Sequence, residues 1–144
     1  MNSMKWFASA AAIALLAGAA MSARAADSPH HDMFAKCAKA CADCQLQCDM
    51  CFHHCADLVA QGKIDHVATL HTCVDCAECC KLCATLCARQ SSFCPAACEC
   101  CAKCCDECAT TCEKFPDDKH MAACAKSCRD CAKECRAMIK HLGR

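Results

Sequence analysis

Glycine and proline are scarce in this chain. Each occurs three times in 144 residues, and past residue 25 only Gly62 and Gly143 remain beside Pro29, Pro95 and Pro116. That scarcity excludes a loop-rich scaffold, in which turn residues separate short segments. Alanine, Lys, Glu and Asp fill the gaps, which is helix composition. A basic excess is missing too, since 16 basic residues face 16 acidic ones, and leaving out Lys5 and Arg24 makes it 14 against 16. A nucleic-acid binder needs a basic patch, so no nucleic acid is expected as partner. Beyond residue 26 no stretch is apolar for long enough to span a bilayer, so no membrane contact is expected of that part.

What the chain has instead is cysteine, 24 of them. From Cys37 the spacings run 4, 3, 4, 3, 4 through Cys41, Cys44, Cys48, Cys51 and Cys55. Cys73, Cys76, Cys80, Cys83 and Cys87 form a second run, and Cys94, Cys98, Cys101, Cys105, Cys108 and Cys112 a third. Cys124, Cys128, Cys131 and Cys135 form a fourth. Alternating threes and fours are the heptad seam of a packed helix, a position normally held by Leu or Ile and here held by thiols.

The first 25 residues read as a separate element. Lys5 is followed by an apolar run from Trp6 to Met21 and then by Ala23-Arg24-Ala25. That is the order of a cleavable signal peptide. No twin arginine precedes the run, which favours the general secretory route. The expectation is a signal peptide over 1–25, one domain over 26–144, and an exported, periplasmic protein.

The few helix breakers divide the domain into four helices. Ser28-Pro29 reads as a cap and first turn opening helix 1, which runs to about residue 60. Gln61-Gly62-Lys63 is a stop, after which Asp65 is placed to cap helix 2, running to about residue 89. Pro95 lies just inside helix 3, which ends near Phe115-Pro116, and Asp117 or Asp118 caps helix 4. Short connections make neighbours antiparallel, so the predicted fold is all-α, an up-down-up-down four-helix bundle with helices of about 25–30 residues. A repeat, Cys-Ala-Lys/Glu-x-Cys-x-x-Cys, begins once in each helix at Cys37, Cys76, Cys101 and Cys124. At 100° per residue the helix 1 cysteines fall within about ±40° of one direction. Leu46 points the opposite way with Met50 beside it, and Val74 and Leu82 point away from the thiols of helix 2. Such outward apolar residues point to a subunit interface. Cys79, Cys100 and Cys104 lie off the seams, with Cys100 and Cys104 on one flank.

Four thiol seams facing one axis make a lining that suits Cu(I). The ion is soft, thiolate is a soft ligand, and Cu(I) takes two or three bridging sulfurs. Cysteines at i and i+4 lean the same way on one helix, as in Cys44/Cys48, Cys76/Cys80 or Cys101/Cys105. A bis-thiolate Cu(I) unit keeps one negative charge, whereas one copper per bridging thiolate is neutral. Because buried charge must be compensated, capacity is expected on the order of fifteen to twenty Cu(I) per chain.

Other uses of thiol fit the pattern less well. Zinc prefers separate sets of four, with Cys-x-x-Cys on turns rather than inside helices. Cys73, Cys76, Cys79 and Cys83 resemble ferredoxin spacing, but Ala84 stands where that run closes with proline. No βαβ pattern surrounds any Cys-x-x-Cys, so no redox enzyme is expected. A disulfide-stapled helical structural or interaction protein is the alternative, although stapling needs far fewer cysteines. Histidine and methionine gather at the helix ends. His54, His66, His71, His120 and Met121 fall at one mouth, and His30, His31, Met33, Met138 and His141 at the other, as weaker copper donors suited to an entry port.

With these four Cys-lined helices and Cys-x-x-x-Cys pairs, the chain resembles the bacterial copper storage proteins, in particular their exported branch. The resemblance implies a homo-oligomeric four-helix bundle, a tetramer, holding many Cu(I) ions in its core. It also implies a donor or recipient of that copper. The missing twin arginine and the high cysteine count depart from the exported branch.

Overall fold

The computed structural model describes residues 29–143. Four helices carry the fold, α1 (Pro29–Ala60), α2 (Val67–Ala88), α3 (Cys94–Cys112) and α4 (Lys119–His141). There is no strand among the described residues. Helix α1 packs against α2 and α4, α3 packs against the same two, and the diagonal backbones stay apart. This is the square, antiparallel bundle expected from the short connections.

The ends of the helices follow local chemistry. Helix α1 stops at Gly62, whose φ of 84° carries the chain into the left-handed region. The Lys63 N–H then donates to Leu58 O, and the Gly62 N–H to Val59 O, which closes a Schellman turn. The same turn ends α2, with Ser91 N–H on Leu86 O and Gln90 N–H on Cys87 O. There a glutamine occupies the left-handed position, at φ 50°. Asp118 caps α4 as expected, its Oδ1 accepting from the N–H groups of His120 and Met121 at 2.9 and 3.2 Å.

Two expectations about ends are corrected. Asp65 does not cap α2, because it sits inside a 3-10 turn over Ile64–His66 that precedes the helix. Helix α3 is shorter than expected at 19 residues. Phe115 precedes Pro116, and a residue before proline is pushed out of helical φ/ψ, so the chain leaves the helix a few residues earlier.

The repeat has a structural counterpart outside the core. Lys39 reaches Asp43 at 2.5 Å, and the equivalent Lys126 reaches Asp130 at 2.7 Å. On the surface Arg129 ties α4 to α3 with paired hydrogen bonds to Glu113 at 3.0 and 2.8 Å, and Arg136 meets Asp106. Exposed pairs of this kind each contribute about 0–1 kcal/mol, so they set register more than stability. Small side chains let the helices approach: Ala77, Ala102, Ala109, Ala125 and Ala132 are buried beside the seam cysteines.

Candidate metal centre

All 21 seam cysteines are buried, with exposures of 0 or 1%. They come from all four helices and meet on one axis. Across neighbouring helices, Cys73 Sγ lies 3.7 Å from Cys108 Sγ, and Cys44 Sγ lies 3.7 Å from Cys128 Sγ. Across the diagonal, Cys37 reaches Cys98 at 3.8 Å and Cys76 reaches Cys128 at 3.9 Å. Along single helices, Cys76/Cys80, Cys83/Cys87, Cys94/Cys98 and Cys101/Cys105 stand 3.8–3.9 Å apart. The thiols are thus continuous in three directions, where the sequence pointed mainly to pairs within a helix.

These separations can be set against metal geometry. A metal–thiolate bond of about 2.3 Å gives sulfur–sulfur edges of about 4.0 Å for three sulfurs in a plane and about 3.8 Å for a tetrahedron. The observed spacings suit either, so the discriminating feature is how the groups are shared. Sulfurs of Cys37, Cys83, Cys98 and Cys135 lie within 4.8 Å of one another, as do those of Cys41, Cys83, Cys101 and Cys135. Further along, Cys44, Cys76, Cys80 and Cys105 form a group, then Cys44, Cys48, Cys76 and Cys128, then Cys48, Cys108, Cys124 and Cys128. Each of these groups shares two sulfurs with a neighbour: Cys83 and Cys135 join the first two, Cys44 and Cys76 the third and fourth, and Cys48 and Cys128 the fourth and fifth. Separate zinc sets would leave each thiolate to one ion, whereas shared edges are what bridging Cu(I) needs.

All 24 cysteines are free, and even Cys87 and Cys94, whose sulfurs approach more nearly than those of Cys79 and Cys104, stand 2.7 Å apart. A disulfide requires about 2.05 Å, so the disulfide-stapled alternative has no bonded pair to support it. Among the described residues only His66 and Thr69 are buried polar groups, so the core carries no fixed charge. Burial pushes the Cys94 thiol up to about 11. Cys55 is pushed up to about 12, first by its hydrogen bond with Cys51 and also by burial. These two thiols stay protonated until a metal displaces the proton.

The ends of the tube are closed by methionine, phenylalanine and leucine rather than by thiols. Met121 and Met138 are fully buried, and Met121 Sδ lies 3.5 Å from Cys51 Sγ and 3.9 Å from Cys55 Sγ. Each continues the α4 seam three residues beyond its last cysteine. On α1, Phe34 and Leu58 extend the seam in the same way and are buried. A heptad carried past the terminal cysteines was the signal that finds them. Outside this layer His54 stacks on His120 at 4.4 Å and pairs with Asp118 at 2.7 Å. His66 stacks on Phe115 at 4.1 Å, and its Nδ1 is buried without a partner. At the other end His30 Nδ1 and His141 Nε2 are 2.8 Å apart. His71 is exposed.

Fold and site together define a four-helix bundle whose core is a store of soft metal ligands. The chain belongs to the copper storage protein family, whose family model matches residues 30–140. No curated protein sequence matches the chain. Among solved structures it is similar to a Cu(I)-bound copper storage protein, BsCsp3, at 35% identity and a TM-score of 0.66, over 72% of this chain and 95% of that one. The apo form of copper storage protein 3 from Bacillus subtilis matches at 34% identity and a TM-score of 0.62, over the same shares. A structure described as a cytosolic copper storage protein from Streptomyces lividans shares the fold, at 23% identity and a TM-score of 0.71, over 77% of this chain and 95% of that one.

That last match corrects the expectation of an exported, periplasmic protein. This bundle is found in a protein described as cytosolic. The stretch over 1–25 on which the export reading rested lies outside the described residues.

Proposed function

We propose that the protein binds and stores many Cu(I) ions on the thiolates of its core, as a copper reserve and a sink for excess copper. The observation that carries this reading is the run of four-sulfur groups sharing edges along the bundle axis. A single tight site would need two to four thiols. A continuous lattice holds cargo, and the shared sulfurs allow charge to approach neutrality as the lattice fills. The 21 seam cysteines are the proposed ligands, supported by their complete burial and mutual spacing.

Anaerobic titration of the reduced apo-protein with Cu(I) against a competing chelator tests the proposal. Saturation is expected on the order of fifteen to twenty equivalents, if charge compensation governs filling. Saturation at four or fewer would overturn storage. A companion count of free thiols, in protein purified anaerobically without reductant, should return nearly all 24.

Self-association belongs to the same proposal. Leu46, Leu82 and Val74 are exposed by 60, 57 and 41%, so each presents apolar surface that a second copy would cover. Sedimentation of the apo-protein over a range of concentrations is expected to show a species larger than a monomer. Storage also requires a donor and a recipient for Cu(I), which would meet the ion at a mouth or on the surface of the bundle.

A further inference from the structure

The three cysteines outside the seams form a cluster of their own. Cys79 on α2 faces Cys100 and Cys104 on α3, with Sγ separations of 3.7 and 3.2 Å. Cys100 is exposed, and Cys79 and Cys104 are half-buried. Each immediately precedes a core cysteine, Cys80, Cys101 or Cys105. Those three also make a triangle, with edges of 3.5, 3.7 and 3.9 Å. One residue turns a helical side chain by about 100°. The inner triangle therefore has an outer counterpart on the solvent side of the same α2–α3 contact.

We propose that Cys79, Cys100 and Cys104 form a separate surface site for one Cu(I) ion, which exchanges with donors and acceptors in solution faster than the core ions do. The inference rests on Cu(I) as the cargo and adds a place where it is handed over. Three soft donors from two helices match planar three-coordination, whose sulfur–sulfur edge is about 4.0 Å. The observed edges fall short of that by less than about an ångström, a gap that rotation about the Cα–Cβ bonds can close. Cys100 and Cys104 are one turn apart on α3, so they lean the same way.

Solvation separates this site from the core. A buried copper–thiolate unit must share sulfurs with its neighbours to approach neutrality, but water stabilises a charged complex at the surface. The outer site can therefore hold a single ion without a lattice around it. Asp75 and Glu107 line the depression beside Cys104, and their charge raises the local concentration of an arriving cation.

The test uses the reduced full-length chain under anaerobic conditions, saturated with Cu(I) supplied as its acetonitrile complex. Iodoacetamide labelling is then mapped to each cysteine by mass spectrometry. Cys79, Cys100 and Cys104 are expected to react in the apo-protein and to be protected in the loaded one. The combined Cys79→Ser, Cys100→Ser, Cys104→Ser variant should bind about one ion fewer. It should also lose the fastest phase of Cu(I) transfer to a bulky sulfonated chelator, with unchanged helicity by circular dichroism. Should the triple variant fold poorly, Cys100→Ser alone, at an exposed position, should still slow that phase. Equal labelling of the three thiols in loaded and apo-protein would overturn the proposal. So would an unchanged copper count in the folded triple variant, or a Cys79–Cys104 disulfide in anaerobically loaded protein. None of these results touches the storage reading, which stands or falls on the total bound by the unmodified chain.

Discussion

The Met121 thioether closes one end of the thiol lattice, its Sδ 3.5 Å from the Cys51 Sγ. It is completely buried, so it is both the last soft donor of that end and the packing that keeps water out. The two roles separate by substitution. Met121→Ala should destabilise the apo-protein by about 2–5 kcal/mol, as for other buried methionine truncations. It should also speed copper exchange at that end. Met121→Leu preserves volume and should cost less than about 1.5 kcal/mol. Chemical denaturation of the apo-proteins and stopped-flow transfer to a chelator measure the two effects. Equal copper kinetics in the wild type and both variants would show that this end is not a route for the ion.

Cys44 offers a sharper test of sharing. It belongs to two adjoining four-sulfur groups and lies within 3.9 Å of Cys105 and 3.7 Å of Cys128. If thiolates bridge, Cys44→Ala should remove more than one thiol's proportional share of copper, because two groups lose a ligand at once. The apo fold should survive, since Cys and Ala are both small and apolar and the cavity is slight. Competitive titration and thermal unfolding check both. A loss of one ion or less would indicate sites that fill independently.

Much of this architecture was legible beforehand, and the reason is periodicity. A three-and-four spacing places Cys37 through Cys55 on one helical face whatever the partner helices do. The C-terminal end of α1 and the cap at Asp118 follow from local chemistry that needs no tertiary information, whereas the expected cap at Ser28 lies outside the described residues. What was not legible depends on how helices meet. Cys79 came from α2 and Cys100 with Cys104 from α3, and only the α2–α3 packing brings them within 3.2–3.7 Å. The diagonal contact of Cys37 with Cys98 is of the same kind. Asp65 misled because a capping residue and a residue in a preceding 3-10 turn look alike in sequence. Burial of Met121 and Met138 could have been read, by extending the α4 heptad three residues in each direction.

Gln90 is a local conflict left in the fold. It holds φ 50° at the end of α2, where a glycine would have no Cβ to strain the turn. Gln90→Gly should therefore raise apo-protein stability by up to about 1 kcal/mol, despite the greater entropy of glycine in the unfolded chain. Gln90 is exposed and supplies no thiol, so copper capacity should be unchanged. An unchanged or lowered denaturation midpoint would mean that the glutamine side chain makes a compensating contact.

Proton and copper compete for the same sulfurs, and the competition fixes the sign of the pH response. Burial raises the folded-state value of Cys94 from 9.0 to about 11. A thiol so raised favours the fold while protonated. Its contribution is complete below the unfolded value and is lost as pH rises from about 9 through 11. The Cys94 contribution to apo-protein stability should therefore be lost across that alkaline window, and Cys94→Ala should remove that part of the pH dependence. In the loaded protein the thiols are ionised by the metal, so the response reverses and acid weakens binding. With one proton displaced per bridging copper, apparent affinity should fall about tenfold for each unit of pH. Titrations in buffers of different ionisation enthalpy count the released protons directly. Loading that releases none would mean that the core thiols are already ionised in the apo-protein, and the account of a neutral, uncharged core waiting for its cargo would be wrong.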